Sequence, residues 1–90
     1  MADIKRTKLS KDELKNMGVF SWPTWEKEAS TFPWHYDSKE TCYMLEGKVK
    51  VTPENGESVE FEAGDFVEFP EGMDCTWEIN TTVKKHYKFD

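Results

Sequence analysis

Apolar residues recur at every second position over most of the chain, and that alternation predicts β-strands. Phe32, Trp34 and Tyr36 alternate with Pro33, His35 and Asp37, which makes a strand with an inward aromatic face. The run ETCYMLEGKVKV, beginning at Glu40, is strand-like on both faces and carries Gly47 as a bulge or bend. Glu54-Asn55-Gly56-Glu57 contains the Asn-Gly pair, a strong hairpin signal, and SVEFEA returns from it with Val59, Phe61 and Ala63 on one face. Gly64-Asp65 and Pro70-Glu71-Gly72 turn the chain into and out of FVEFP. Cys75, Trp77 and Ile79 then share a face, and a last strand, VKKHYKF, sets Val83, Lys85, Tyr87 and Phe89 against Lys84, His86 and Lys88.

A helical signal occurs once, near the start. Ser10-Lys11-Asp12-Glu13 has the form of a capping box, Leu9 and Leu14 flank it and Gly18 is a stop, so one short helix is expected over residues 11–16. Pro23 excludes a central strand position where it stands, which predicts a bend followed by a strand from Trp25. Trp22 and Trp25 read as core or interface anchors, with ligand stacking as the alternative. Short, evenly spaced strands separated by turn signals predict an antiparallel sandwich or barrel. The expected organisation is all-β and a single domain over residues 1–90, with 1–19 an extension bearing the helix and 20–90 the barrel.

Composition narrows the picture. A chain of 90 residues buries only about 60 to 65% of its unfolded surface, so its core must be concentrated in large side chains. Four Trp, three Tyr and six Phe supply them. Two cysteines with no CxxC pair do not form a disulfide framework, and reduced thiols in a cytoplasmic protein are the simpler expectation. No apolar run approaches the ~20 residues that span a bilayer, and Met1 leads into a charged segment rather than a signal-peptide core. The net charge of -6 disfavours nucleic acid and anionic membranes as partners. Charge is also uneven: Lys5, Arg6, Lys8, Lys11 and Lys15 make the N-terminus basic and Glu54 to Asp74 is almost purely acidic, which reads as a solvated surface with termini able to lie against the acidic middle.

The stretch WHYDSKETCYMLEG, Trp34 to Gly47, resembles the first cupin motif, in which two histidines precede a glutamate by about three or four positions and a glycine follows. Glu40 and Gly47 match it. Gly64, Pro70 and Gly72 match the second motif, whose histidine falls at Cys75. WPTWEKE, FPEGMDCTW and KKHY make the chain similar, more narrowly, to small single-domain cupins grouped with (S)-ureidoglycine aminohydrolase. The resemblance implies a jelly-roll β-barrel, RmlC-like, with a pocket at its wider mouth. It does not carry the aminohydrolase activity across, since the histidines of that enzyme's manganese site are missing here.

At one motif spacing, Trp34 and Tyr36 occupy the two histidine positions. An indole nitrogen has no lone pair for a metal, and Tyr36 would have to bind as phenolate, starting from a pKa near ~10. At the other spacing, His35 joins Glu40 and Cys75 as a three-ligand set for zinc or iron, with His86 a further candidate. Parity turns His35 outward, so the expectation is a barrel without a metal cofactor, and one divalent ion is the alternative. Glu40, among apolar neighbours, must be paired or carry a raised pKa. Lys85, brought inward by the alternation of the last strand, is its structural partner, and proton transfer with Tyr36 is the functional reading. Cys42 reads as a core residue, and Cys75 as a small core residue with a nucleophile as the alternative, since a thiolate needs a cationic neighbour to form.

Three readings follow for function. In the first, Trp34, Tyr36, Glu40, Cys75 and Trp77 line a pocket for a small polar metabolite, sugar- or ureide-like, with Glu40 and Tyr36 as catalytic pair in an epimerisation or dehydration. In the second, a metal-dependent enzyme uses His35 or His86 with Glu40 and Cys75. The third is a non-catalytic domain that forms a homodimer through strand edges or the Trp22 and Trp25 region.

Overall fold

The computed structural model describes residues 4–54 and 56–90. Its two longest strands organise everything else. β4 (Glu40–Pro53) and β7 (Asp74–Phe89) run antiparallel along most of their lengths. β4 also pairs with β5 (Val59–Glu62) at one end and β6 (Phe66–Phe69) at the other, and β6 carries β1 (Lys5–Thr7) on its outer edge. β7 in turn pairs with β2 (Thr24–Lys27) and β3 (Ser30–His35). The resulting seven-stranded antiparallel sheet, with one short helix α1 (Lys11–Asn16), agrees with the all-β class expected from the alternation. Among the described residues, no helix is long and apolar enough to cross a membrane.

The alternating apolar residues close on one core, which includes Tyr36, Cys42, Met44, Phe61, Phe69 and Val83. Close passage of β4 over β7 depends on Gly47. Its backbone sits at φ 94°, and a Cβ there would collide with the Thr82 carbonyl oxygen and with Val83. The pairing register shifts on either side of it, so the expected bulge is present.

Three features depart from the sequence expectation. β7 is one continuous strand rather than two, because Asn80-Thr81-Thr82 contains no breaker and Thr81 Oγ1 accepts the Lys48 amide across the bulge at 3.0 Å. β1 gave no alternation signal, since Lys5, Arg6 and Thr7 are all exposed and pair through their backbone. Ala63 lies in the turn after β5 rather than on its inner face. The Asn-Gly hairpin signal includes Asn55, which lies outside the described residues, though β4 and β5 pair on both sides of it.

The short helix forms as read. Glu13 N–H donates to Ser10 Oγ at 3.1 Å and Ser10 N–H to Glu13 Oε1 at 3.2 Å, the two halves of the capping box. A 3₁₀ turn (Val19–Ser21) follows Gly18, which sits at φ 76°. Leu14 and Val19 bury a second apolar cluster against Phe66, with Leu9, Trp22 and Tyr43 around it. Basic residues also reach the acidic side: Lys8 pairs with Asp65 at 2.8 Å and Arg6 donates to the Glu60 carbonyl at 2.7 Å.

Candidate functional site

Parity within β3, β4 and β7 brings three sets of side chains to one end of the barrel. Phe32 and Trp34 come from β3, Glu40 opens β4, and Trp77, Lys85, Tyr87 and Phe89 line the inner face of β7. With Trp25 from β2 they enclose a cavity of about 150 Å³. Trp34 and Phe89 are large apolar residues left 48% and 44% exposed, and they mark its open side. Phe32 stacks on Trp77, with ring centroids 6.3 Å apart and 14° between planes, while Trp25 meets the same indole edge-on at 6.2 Å.

One ion pair interrupts this aromatic wall. Lys85 Nζ donates to both oxygens of Glu40, at 3.2 and 3.0 Å, and both residues are at most 5% exposed. The ammonium also faces three rings: Trp77 at 4.7 Å, Trp25 at 5.0 Å and Phe69 at 5.9 Å from the ring centroids. Glu40 is therefore paired, the first of the two states open to a buried carboxylate, and its partner is the lysine that alternation placed inward.

The expected pocket residues separate into two layers. Trp34, Glu40 and Trp77 line the cavity. Tyr36 and Cys75 lie among the filled part of the core and do not line it. Tyr36 stacks on Phe69, centroids 4.9 Å apart, and its hydroxyl accepts from Trp77 Nε1 at 3.2 Å. Burial, and then the Glu40 carboxylate, push its phenol far above the ordinary tyrosine range. Cys75 Sγ donates to the Trp34 carbonyl at 3.6 Å, and burial pushes its thiol up to about 11. Cys42, fully buried and with no disulfide, is pushed up to about 12 by the same cause.

The two histidines do not converge on this site. His35 faces outward, its Nδ1 2.7 Å from Asp74 and its Nε2 3.4 Å from Asp37. His86 lies on the opposite face of β7 from Lys85, half-buried, with Nδ1 2.9 Å from the Trp22 carbonyl and its ring edge-on to Phe20. Phe20 and the Trp22 carbonyl cover it, so the further metal candidate is turned away from Glu40 and Cys75. Among the described residues, no three His, Cys, Asp or Glu side chains gather where they could hold a metal ion. The donors left at the motif positions fit one poorly: an indole, a phenol and a thiol both held neutral, and a carboxylate already committed to Lys85.

Five lining residues fall outside the pocket expected from sequence: Trp25, Phe32, Lys85, Tyr87 and Phe89. Ligand stacking was the alternative reading of Trp25, Lys85 was expected inward only as a partner for Glu40, and Phe32 only as part of an aromatic face. Tyr87 and Phe89 shared the parity of Lys85, and that was the signal by which they could have been found.

A family profile described as EutQ-like cupin domain matches residues 14–87. A DUF861 family protein from Thermotoga maritima is 48% identical, with a TM-score of 0.95 over 98% of this chain and 100% of that one. A DUF861 family protein from Pseudomonas syringae is 28% identical, with a TM-score of 0.64 over 71% of this chain and 28% of the other. The EutQ protein of Clostridium difficile shares the fold, with 17% identity and a TM-score of 0.65 over 93% of this chain and 64% of that one. A search of curated proteins found no match. With its matching glycines, its antiparallel roll and a profile match over most of its length, the chain belongs to the EutQ-like cupin family.

Proposed function

We propose that the barrel mouth binds a small metabolite with an apolar ring face and a polar edge, and that Glu40 moves protons on it without a resident metal ion. One observation carries this reading: a buried Glu40–Lys85 pair lines a cavity otherwise walled by aromatic rings. Such a wall stacks against the C–H face of a sugar or the plane of a ureide, while carboxylate and ammonium present an acceptor and a donor side by side. A cavity of about this size accommodates a benzene-sized molecule, which favours a single ring over a nucleotide or disaccharide.

Lys85 takes the part first given to Tyr36. It is in hydrogen-bond contact with Glu40, within reach for proton exchange, whereas the Tyr36 hydroxyl is sealed against Trp77. The resemblance to the ureidoglycine aminohydrolase group keeps a ureide among the candidate ligands. The neutral thiols and the outward His35 support the metal-free reading over the metal-dependent one.

Thermal shift with a panel of monosaccharides, small amides and cyclic ureides tests the proposal. At least one compound is expected to raise the melting temperature of wild type and to lose most of that effect in Trp34→Ala, a half-exposed position where truncation leaves the core intact. A panel without any shift, or a shift untouched by Trp34→Ala, would sink it.

A further inference from the structure

Lys85 is the one buried lysine among the described residues, and it sits where an aldehyde or ketone would meet it. Its Nζ is held 3.0 and 3.2 Å from the Glu40 oxygens, and both residues line the cavity. The other lysine ion pairs reach solvent: Lys48 and Lys50 stand 3.8 and 3.6 Å from their partners with half-exposed side chains, and Lys8, though 2.8 Å from Asp65, is 67% exposed. An amine pinned beside a proton acceptor, at the edge of an aromatic-walled cavity, has the arrangement that carbonyl capture requires.

We infer that Lys85 captures a small aldehyde or ketone in this pocket as an iminium, with Glu40 as its proton shuttle. This deepens the pocket reading above and rests on it. The steps balance without any further reagent. Glu40 takes one proton from the ammonium, and the freed nitrogen lone pair forms a bond to the carbonyl carbon while the carbonyl π pair moves to oxygen. A second proton passes from nitrogen to that oxygen, giving a carbinolamine. The proton held by Glu40 then goes to the hydroxyl, which leaves as water as the C=N bond forms. Glu40 ends as it began, and the net change is carbonyl plus ammonium to iminium plus water.

The surroundings suit the product as well as the reactant. An iminium keeps the positive charge on the same nitrogen, so the carboxylate and the rings of Trp77, Trp25 and Phe69 face it as they face the ammonium. The aromatic wall leaves water only the open side by which to reach the adduct, which slows its hydrolysis. Once formed, the iminium withdraws electrons from the adjacent carbon, and Glu40 is placed to remove a proton from it.

The test uses the full chain, benzaldehyde as a probe of the cavity's size, and sodium cyanoborohydride to reduce any iminium to a stable benzylamine, read by intact mass and peptide mapping. Wild type is expected to take one benzyl group on Lys85 at least about tenfold faster than on any surface lysine. Labelling spread over surface lysines with Lys85 untouched overturns the inference, and this arm needs no variant. Glu40→Gln, checked for folding by circular dichroism, is expected to slow labelling at Lys85 by about tenfold or more and leave the other lysines unchanged. An unchanged rate at Lys85 in that folded variant overturns the role of Glu40. Benzyl alcohol separates the two proposals: if it raises the melting temperature while benzaldehyde is not trapped, the pocket stands and the iminium falls. If neither benzyl alcohol nor the ring panel shifts the melting temperature, both fall.

Discussion

Two carboxylates in this molecule, Glu40 and Asp65, are each only 3% exposed, yet the chain satisfies them in opposite ways. Asp65 sits in the turn between β5 and β6, where one oxygen accepts the Glu62 amide at 2.8 Å and the other meets Lys8 at 2.8 Å. The Lys8 side chain is 67% exposed, so water shares the countercharge, and the hydrogen bond that Lys8 donates to Asp65, more than any other influence, holds its amine above the usual lysine value. Glu40 has neither a backbone donor nor a solvated partner among its hydrogen bonds; both oxygens go to a lysine as deeply buried as itself, facing a cavity. Asp65 pins a turn to the N-terminal strand. Glu40 and Lys85 hold two charges out of water, where an apolar pair would serve stability as well or better. One buried carboxylate braces a turn, and the other lines a cavity.

The largest effect should come from breaking the frame that both depend on. Gly47→Ala forces a side chain into the β7 backbone at a φ that non-glycine residues rarely adopt, and a loss of about 4 kcal/mol or more, seen as little soluble folded protein, is expected. A variant that melts within a few degrees of wild type would mean that β4 can move off β7. Next, Lys85→Met leaves the Glu40 carboxylate buried without its cation, and denaturant unfolding should show a loss of about 3–5 kcal/mol. A loss below ~1 kcal/mol would place Glu40 in contact with water and make the two carboxylates alike.

Alkaline titration addresses the core around the pair. Burial raises the Cys42 thiol to about 12, so the folded chain keeps a proton that the unfolded chain releases from about pH 9 upward. Stability is therefore complete below that pH and falls as pH rises toward 12, by about 1.4 kcal/mol per unit for this group. Melting temperatures from pH 7 to 11 should show the decline, with a shallower slope in Cys42→Ala; identical slopes would contradict the assignment. The smallest effect is expected at Asp65. Asp65→Asn keeps an acceptor for the Glu62 amide, so unfolding should show a loss of about 1–2 kcal/mol, with ligand-induced thermal shifts unchanged. Lost ligand response there would couple the turn to the pocket.

Much of the fold was legible because period-two alternation carries burial directly. It put Lys85 on the same inner face as Glu40, turned His35 outward and set Cys42 in the core, as the strands show. Alternation names the face of a strand but not the depth along the barrel axis. Trp34, Tyr36 and Cys75 were therefore grouped as one pocket, although Trp34 stands at its open side while the other two lie in the filled core. β1 was invisible because a strand paired only through its backbone, with all side chains in water, has no apolar pattern. Asp65 was passed over as an ordinary turn residue, since Gly-Asp suits a solvated loop equally well. That a cavity remains among so many rings depends on their packing, and no spacing rule encodes it.

The central claim is that Glu40 and Lys85 are kept together for the pocket and not for stability. Replacing both, as Glu40→Leu with Lys85→Met, and measuring unfolding by denaturant tests it most directly. The account predicts that the double variant regains what Lys85→Met alone loses, ending within about 1 kcal/mol of wild type or above it, while no longer responding to a ligand that shifts the wild-type melting temperature. A double variant as unstable as the single one, or one that still binds that ligand, would contradict it.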